Sequence, residues 1–174
     1  IRFGYIYTDY PADVSDLARL NRASARTGRF EFITRQVKYK PVKKHKDELL
    51  AEVEKAANSL LDTVDYFWAP RGVLAVLPEF DEILMSFAHP PFLVGATETS
   101  VKKGALLHIT GDPVSQAHDA AAISRAIISG THPGDIDISS PHKIQFAVNT
   151  ATALKLKLAI PSDILEMAKG RIYR

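Results

Sequence analysis

Residues 45–70 read HKDELLAEVEKAANSLLDTVDYFWAP, and the two halves of that stretch have different periods. Leu49, Leu50, Val53, Ala56, Ala57, Leu60 and Leu61 recur at three- and four-residue intervals, which predicts an amphipathic helix over His45–Asp62. Val64–Ala69 is a short β-branched and aromatic run that Pro70-Arg71-Gly72 ends, the pattern of a buried strand running into a turn. A helix that delivers the chain into a short apolar strand is the repeating unit of a parallel sheet, because parallel neighbours need a crossover of a dozen or more residues.

The alternation continues toward the amino terminus. Arg2–Tyr7 carries Phe3, Tyr5, Ile6 and Tyr7 and stops at Thr8-Asp9-Tyr10-Pro11, a strand and its turn. Val14, Leu17, Ala18, Leu20, Ala23 and Ala25 then keep mainly helical spacing over Ala12–Thr27, with Gly28 as a left-handed stop. Phe30–Tyr39 alternates β-branched and aromatic residues and predicts the next strand.

Toward the carboxyl terminus, a helix is expected from Gly72 to about Phe87, restarted at Pro78, and then a strand over Pro91–Ala96. A polar loop, Thr97–Ser100, leads to a strand over Ala105–Thr110 that Gly111-Asp112-Pro113 breaks. A helix rich in Ala and Ile covers Val114–Ser129 and stops at Gly130; an irregular connection, Thr131–Pro141, follows. Lys143–Val148 predicts the last strand, Thr150–Leu156 a short helix, and Ser162 the N-cap of a final one. The expected fold class is α/β, one domain with a mostly parallel sheet and helices on both faces.

At 174 residues, 46% of them hydrophobic and 24% charged, the chain has the composition of an ordinary globular domain. Such a chain buries roughly 70% of its unfolded surface and needs no covalent staples. A formal charge of +2 is too small to mark a nucleic-acid binder. The basic cluster Lys38, Lys40, Lys43, Lys44 and Lys46 lacks an interleaved aromatic stacking pattern, so it reads as a solvated loop and helix start. Cysteine is absent, which excludes disulfides and thiolate chemistry but leaves the compartment open. No apolar run reaches the roughly 18 residues of a membrane-spanning helix. The chain begins at Ile1 inside a strand-like run, and that start reads as a cut end.

In open α/β sheets, ligands bind outside the carboxyl ends of the strands. That rule selects Thr8–Pro11, Pro70–Val73, Ala96–Ser100 and Gly111–Pro113. The candidate ligand-binding residues are therefore Thr8, Asp9, Tyr10, Arg71, Gly72, Thr97, Glu98 and Asp112. Helix starts after these turns would offer backbone N–H groups to a carboxylate or phosphate. Arg71 suits a bidentate carboxylate contact; Asp9, Glu98 and Asp112 suit an ammonium, so a zwitterion would use both signs. The competing structural roles are solvation for Arg71, helix capping for Asp112 and cover of the sheet edge for Tyr10.

Catalytic patterns are missing. His45, His89, His108, His118, His132 and His142 show no metal-ligand spacing and read as structural or surface residues. No G-x-S-x-G elbow, phosphate-binding loop or dinucleotide fingerprint follows any strand. Asp62 and Asp65 flank a strand start, at the edge away from the expected site. Neither metal nor cofactor is expected, and the chain does not read as an enzyme.

Val64–Leu158 resembles the ABC-transporter substrate-binding proteins of type I periplasmic-binding-protein fold, the group that includes tryptophan and tyrosine binders. The likeness is carried, in order, by Val64-Asp65-Tyr66-Phe67-Trp68-Ala69-Pro70, by Ser100-Val101-Lys102-Lys103-Gly104-Ala105-Leu106 and by Ala126-Ile127-Ile128-Ser129-Gly130. It continues through Lys143-Ile144-Gln145-Phe146-Ala147-Val148-Asn149-Thr150-Ala151-Thr152-Ala153 and Leu158-Ala159-Ile160-Pro161, and the Gly4-Tyr5-Ile6-Tyr7 strand is similar to the family's entrance into its second lobe.

The resemblance implies a periplasmic or otherwise extracytoplasmic solute-binding lobe that serves a membrane permease, with an additional first lobe closing over the ligand. It implies that the helix over residues 114–129, with Ala117, Ala120, Ala121, Ile123 and Ile127, packs on that lobe or on a second copy of the chain. Arg71-Gly72 stands where family members often carry a small polar pair, which implies a more acidic solute than an aromatic amino acid. A ligand-sensing domain of a membrane receptor or kinase is the alternative with the same fold, and an α/β enzyme the distant one.

Overall fold

A computed structural model of the chain describes residues 1–137 and 143–174. The last part of the connection expected over residues 131–141, and His142, lie outside the described residues. Strands and helices alternate as β1 (Arg2–Thr8), α1 (Pro11–Thr27), β2 (Glu31–Val37), α2 (Val42–Asn58), β3 (Tyr66–Trp68), α3 (Pro78–Ser86), β4 (Phe92–Val94) and α4 (Glu98–Lys103). They continue as β5 (Leu107–Gly111), α5 (Pro113–Ile128), β6 (Ile144–Asn149), α6 (Thr150–Lys155), α7 (Ser162–Met167) and β7 (Ile172–Tyr173). Single 3₁₀ turns occupy Val73–Val76 and Pro133–Asp135.

The strands form one seven-stranded sheet in the order β2-β1-β3-β4-β5-β6-β7. Every neighbouring pair is parallel except β5 and β6, whose antiparallel ladder runs from Leu107 opposite Val148 to Gly111 opposite Ile144. The α/β, mostly parallel fold expected from the sequence is the fold observed.

The sequence of α2 explains the main core. Leu49, Val53, Ala56 and Ala57 point at the sheet and are buried, while the glutamates and lysines between them face water. They meet Ile6 of β1, Phe67 of β3 and Phe80 and Leu84 of α3 in one cluster. Burying each large aliphatic or aromatic side chain contributes roughly 1.5–3 kcal/mol. The alternate residues of the first strands form an aromatic layer on the other face, where α1 packs. Phe3 lies 5.4 Å from Trp68 and 5.8 Å from Phe32, and Phe32 lies 5.5 Å from Trp68.

Local readings need three corrections. Thr97–Ser100 is not a loop: Thr97 accepts from the Ser100 amide in a capping box that starts α4. Ser162 is the first residue of α7, and Pro161 holds the cap position without a side-chain hydrogen bond. The two-residue strand β7, absent from the sequence reading, is too short to show a period.

Candidate functional site

The strands β1, β3, β4 and β5 are parallel neighbours, so the turns that follow them share one edge of the sheet. A carboxylate that sequence reasoning missed ties two of these turns together. Asp13, fully buried in the first turn of α1, accepts from the Thr8 amide at 3.0 Å, the Thr8 hydroxyl at 2.6 Å and the Val73 amide at 3.1 Å. Gly72 is obligatory beside it, because a Cβ there would stand 1.2 Å from Asp13 Oδ1. Three donors converge on one carboxylate, so the turn after β1 and the turn after β3 are tied to the same side chain. The signal was an acidic residue two positions after Pro11 at a helix start, which by itself reads as an ordinary first-turn acid.

The residues expected to hold a ligand divide into two groups. Thr8 and Gly72 belong to the Asp13 joint just described. Asp9 accepts from the Tyr39 amide at 2.5 Å and so braces the loop after β2. Thr97 is spent on capping α4. Glu98 accepts from the Tyr173 hydroxyl and lies 3.3 Å from Arg171 Nε and 3.7 Å from Lys102 Nζ. The Tyr173 hydrogen bond, with those two cations adding, holds its carboxyl below the usual range. Asp112 accepts from the Val114 amide at 3.0 Å and from Gln145 Nε2 at 2.8 Å, capping α5 and fastening it to β6. Each of the three carboxylates expected to receive an ammonium is thus engaged by donors of the fold. Likewise, side chains cap α4 and α5, while Tyr10 leaves the start of α1 without a side-chain cap.

Two groups remain open. Arg71 is exposed, donates from Nη2 to the Ile109 carbonyl at 3.2 Å, and has no carboxylate within ion-pair distance among the described residues. Tyr10 is 43% exposed with its ring 5.1 Å from that of Tyr39, a second residue the sequence reading passed over. The same edge of the sheet therefore carries a guanidinium without a counter-ion among the described residues and an exposed aromatic pair, chemistry that suits a carboxylate-bearing solute.

His108, on β5 next to the carbonyl that holds Arg71, completes the neighbourhood. Its Nδ1 lies 3.1 Å from the Gly95 carbonyl, an acceptor, so Nδ1 carries the proton. Burial lowers its pKa, the Gly95 hydrogen bond opposes that, and the Arg71 charge lowers it further. Among the described residues no cluster of three or more His, Asp or Glu could hold a metal ion. At the opposite edge Asp65 accepts from the Arg2 amide at 2.7 Å. A cavity of about 400 Å³ lined by Met85, Phe87, Phe92, Thr152 and Leu156 precedes β4 and β5, away from the four turns.

With this geometry in place, comparison with known proteins gives the class. The family of ABC transporter substrate binding proteins matches residues 42–172, and the chain belongs to that family. It is a family of solute-binding proteins rather than of enzymes. Comparison with curated sequences gave no match. Among solved structures, the ABC domain in complex with L-Trp from Streptococcus pneumonia has a TM-score of 0.69 at 17% identity, over 98% of this chain and 56% of that one.

A conserved domain protein from Vibrio cholerae has a TM-score of 0.63 at 19% identity, over 99% and 54%. A ligand-free, open substrate binding protein with adhesive properties from Clostridium difficile has 0.61 at 16%, over 99% and 53%. These likenesses bear on the fold. The chain spans about half the length of the structures it matches. No helix among its described residues is long and apolar enough to cross a membrane.

Proposed function

We propose that this chain forms the solute-binding surface of one lobe of an extracytoplasmic ABC uptake protein. The ligand is a small polar or amino-acid-like molecule with an acidic group, held at the edge formed by Thr8–Tyr10, Arg71-Gly72, Thr97-Glu98 and Asp112 and passed to a membrane permease. The observation that supports the reading is Arg71, a guanidinium without a counter-ion among the described residues where four parallel strand ends meet. An acidic group bound there exchanges water for a charge-assisted hydrogen bond worth about 1.5–3 kcal/mol.

The first lobe of the proposed protein is a partner for α5. None of its residues is buried, and Ile123, Ile127 and Ile128 are 37%, 41% and 84% exposed. The length of the matched structures supports a further lobe as the occupant. Sedimentation distinguishes a second copy: a dimer that Ile123→Glu dissociates would replace the lobe as the partner of α5.

Titrating ¹⁵N-labelled chain with acidic, neutral and basic amino acids at millimolar concentration tests the site. Acidic solutes are expected to shift amides of residues 8–10, 71–73, 96–98 and 110–112, and Arg71→Gln to weaken this by about ten- to a hundredfold. Shifts confined to the cavity before β4 would overturn the assignment.

A further inference from the structure

We infer that His108 is a second, proton-coupled contact for an anionic ligand at the Arg71 edge, so that capture of the solute takes up a proton. This rests on the proposed binding edge and adds to it a residue and a regulation. Three observations support it. The Gly95 carbonyl engages Nδ1, which leaves Nε2 as the nitrogen free to meet a ligand. Among the described residues no buried side-chain nitrogen or oxygen lacks a hydrogen-bond partner, so Nε2, which has none, reaches solvent. Arg71 is fastened to the Ile109 carbonyl, one residue further along the same strand, and His108 follows Leu107, which lies opposite the last residue of β4, so guanidinium and imidazole belong to one neighbourhood in which the Arg71 charge acts on the ring.

The charged groups that act on the ring are Arg71, from the turn after β3, and Glu98, from α4. Glu98 is balanced by Arg171, Lys102 and the Tyr173 hydroxyl; on the β6 side the neighbour is apolar Ala147. Without ligand, burial and the Arg71 charge favour the neutral ring, whose Nε2 is an acceptor and of the wrong polarity for a carboxylate.

An anion beside Arg71 reverses this balance, because it cancels the guanidinium charge and accepts from a protonated Nε2. The ring then takes one proton from solvent: an N–H bond forms at Nε2 as hydronium or a buffer acid gives that proton up. Between the free and liganded midpoints, affinity rises as pH falls, by at most about tenfold per pH unit for one proton. Above the liganded midpoint the dependence vanishes.

Sulfate is a suitable probe, since its charge is constant across the titration of histidine. The ring resonances of His108 are followed by NMR against pH in sulfate and in chloride at equal ionic strength. The expected result is an upward shift of the His108 midpoint in sulfate, with the other histidines unmoved. Arg71→Gln should abolish that shift; His108→Gln should leave sulfate-induced amide shifts at the edge that no longer depend on pH. If sulfate or acidic amino acids move the edge amides while the His108 midpoint stays in place, the binding edge stands and proton coupling is wrong. A shift shared by all histidines is general screening and overturns it as well. If no solute moves the edge amides, the site itself falls, and this inference with it.

Discussion

Helices α2 and α5 have nearly the same length, 17 and 16 residues, and opposite surroundings. The first alternates charged and apolar residues and buries Leu49, Val53, Ala56 and Ala57 against the sheet. The second is richer in Ala and Ile, yet none of its residues is buried. An isolated helix of this length is marginal in water, and most helical stability in proteins comes from packing an apolar face. Local devices hold α5 instead: Pro113 at its first turn, the Asp112 cap and the Ser129 amide closing on the Arg125 carbonyl. The comparison teaches that a helix can be written clearly into a sequence without its partner being written there too.

The largest effect expected is at Leu49. Truncation to Ala in a fully buried site should cost about 2–5 kcal/mol in urea unfolding, whereas Ile123→Ala on α5 should change stability by less than about 0.5 kcal/mol. Equal losses would mean that α5 is packed within this chain, and the contrast would collapse.

Next comes Asp13, whose replacement by Ala strands the Thr8 and Val73 donors at a cost of about 1–3 kcal/mol. Hydrogen exchange at Thr8 and Val73 should accelerate together; acceleration at only one would show that the two turns are not joined through Asp13. Smaller again, Asp112→Ala removes the α5 cap, worth about 1 kcal/mol of helix stability, and should appear as faster exchange in α5 with α2 unchanged.

The smallest effect concerns how dry the packed side is. Asp81 of α3 is buried, and burial raises its pKa, opposed by a Ser100 hydrogen bond and Lys103. A raised folded-state pKa means that the ionised form costs stability above it, and that the cost disappears as pH falls through it. Asp81→Asn should therefore raise Tm slightly at neutral pH and lose that advantage in acid. A constant difference at both pH values would argue that burial does not govern this carboxylate.

Much of the fold was legible because each layer left a period in the chain. The 3.6-residue rhythm of α2, the short aromatic runs of β1 and β3 and the Gly28 stop, observed in the left-handed conformation at φ 62°, agree with one another. The site was less legible. Asp9, Thr97, Glu98 and Asp112 are the right residue types at the right turns, yet their hydrogen-bond capacity goes to Tyr39, Ser100, Tyr173 and Val114. Two of those partners, Tyr39 and Tyr173, lie 30 and 75 positions along the chain, and residue type cannot reveal how such a pair is oriented.

The sequence by itself determined the alternation of strands and helices, the parallel sheet that long crossovers require, the edge at which four turns gather and the family to which the chain belongs. Those properties follow from local periodicity and from rules of connection, both of which are one-dimensional. Only the tertiary structure decided that Asp13 joins two turns, that the neighbouring carboxylates are engaged, and that Arg71, without a counter-ion among the described residues, acts on His108. Burial and hydrogen-bond satisfaction depend on which distant groups arrive at the same few ångströms, and that is settled when the sheet closes its order.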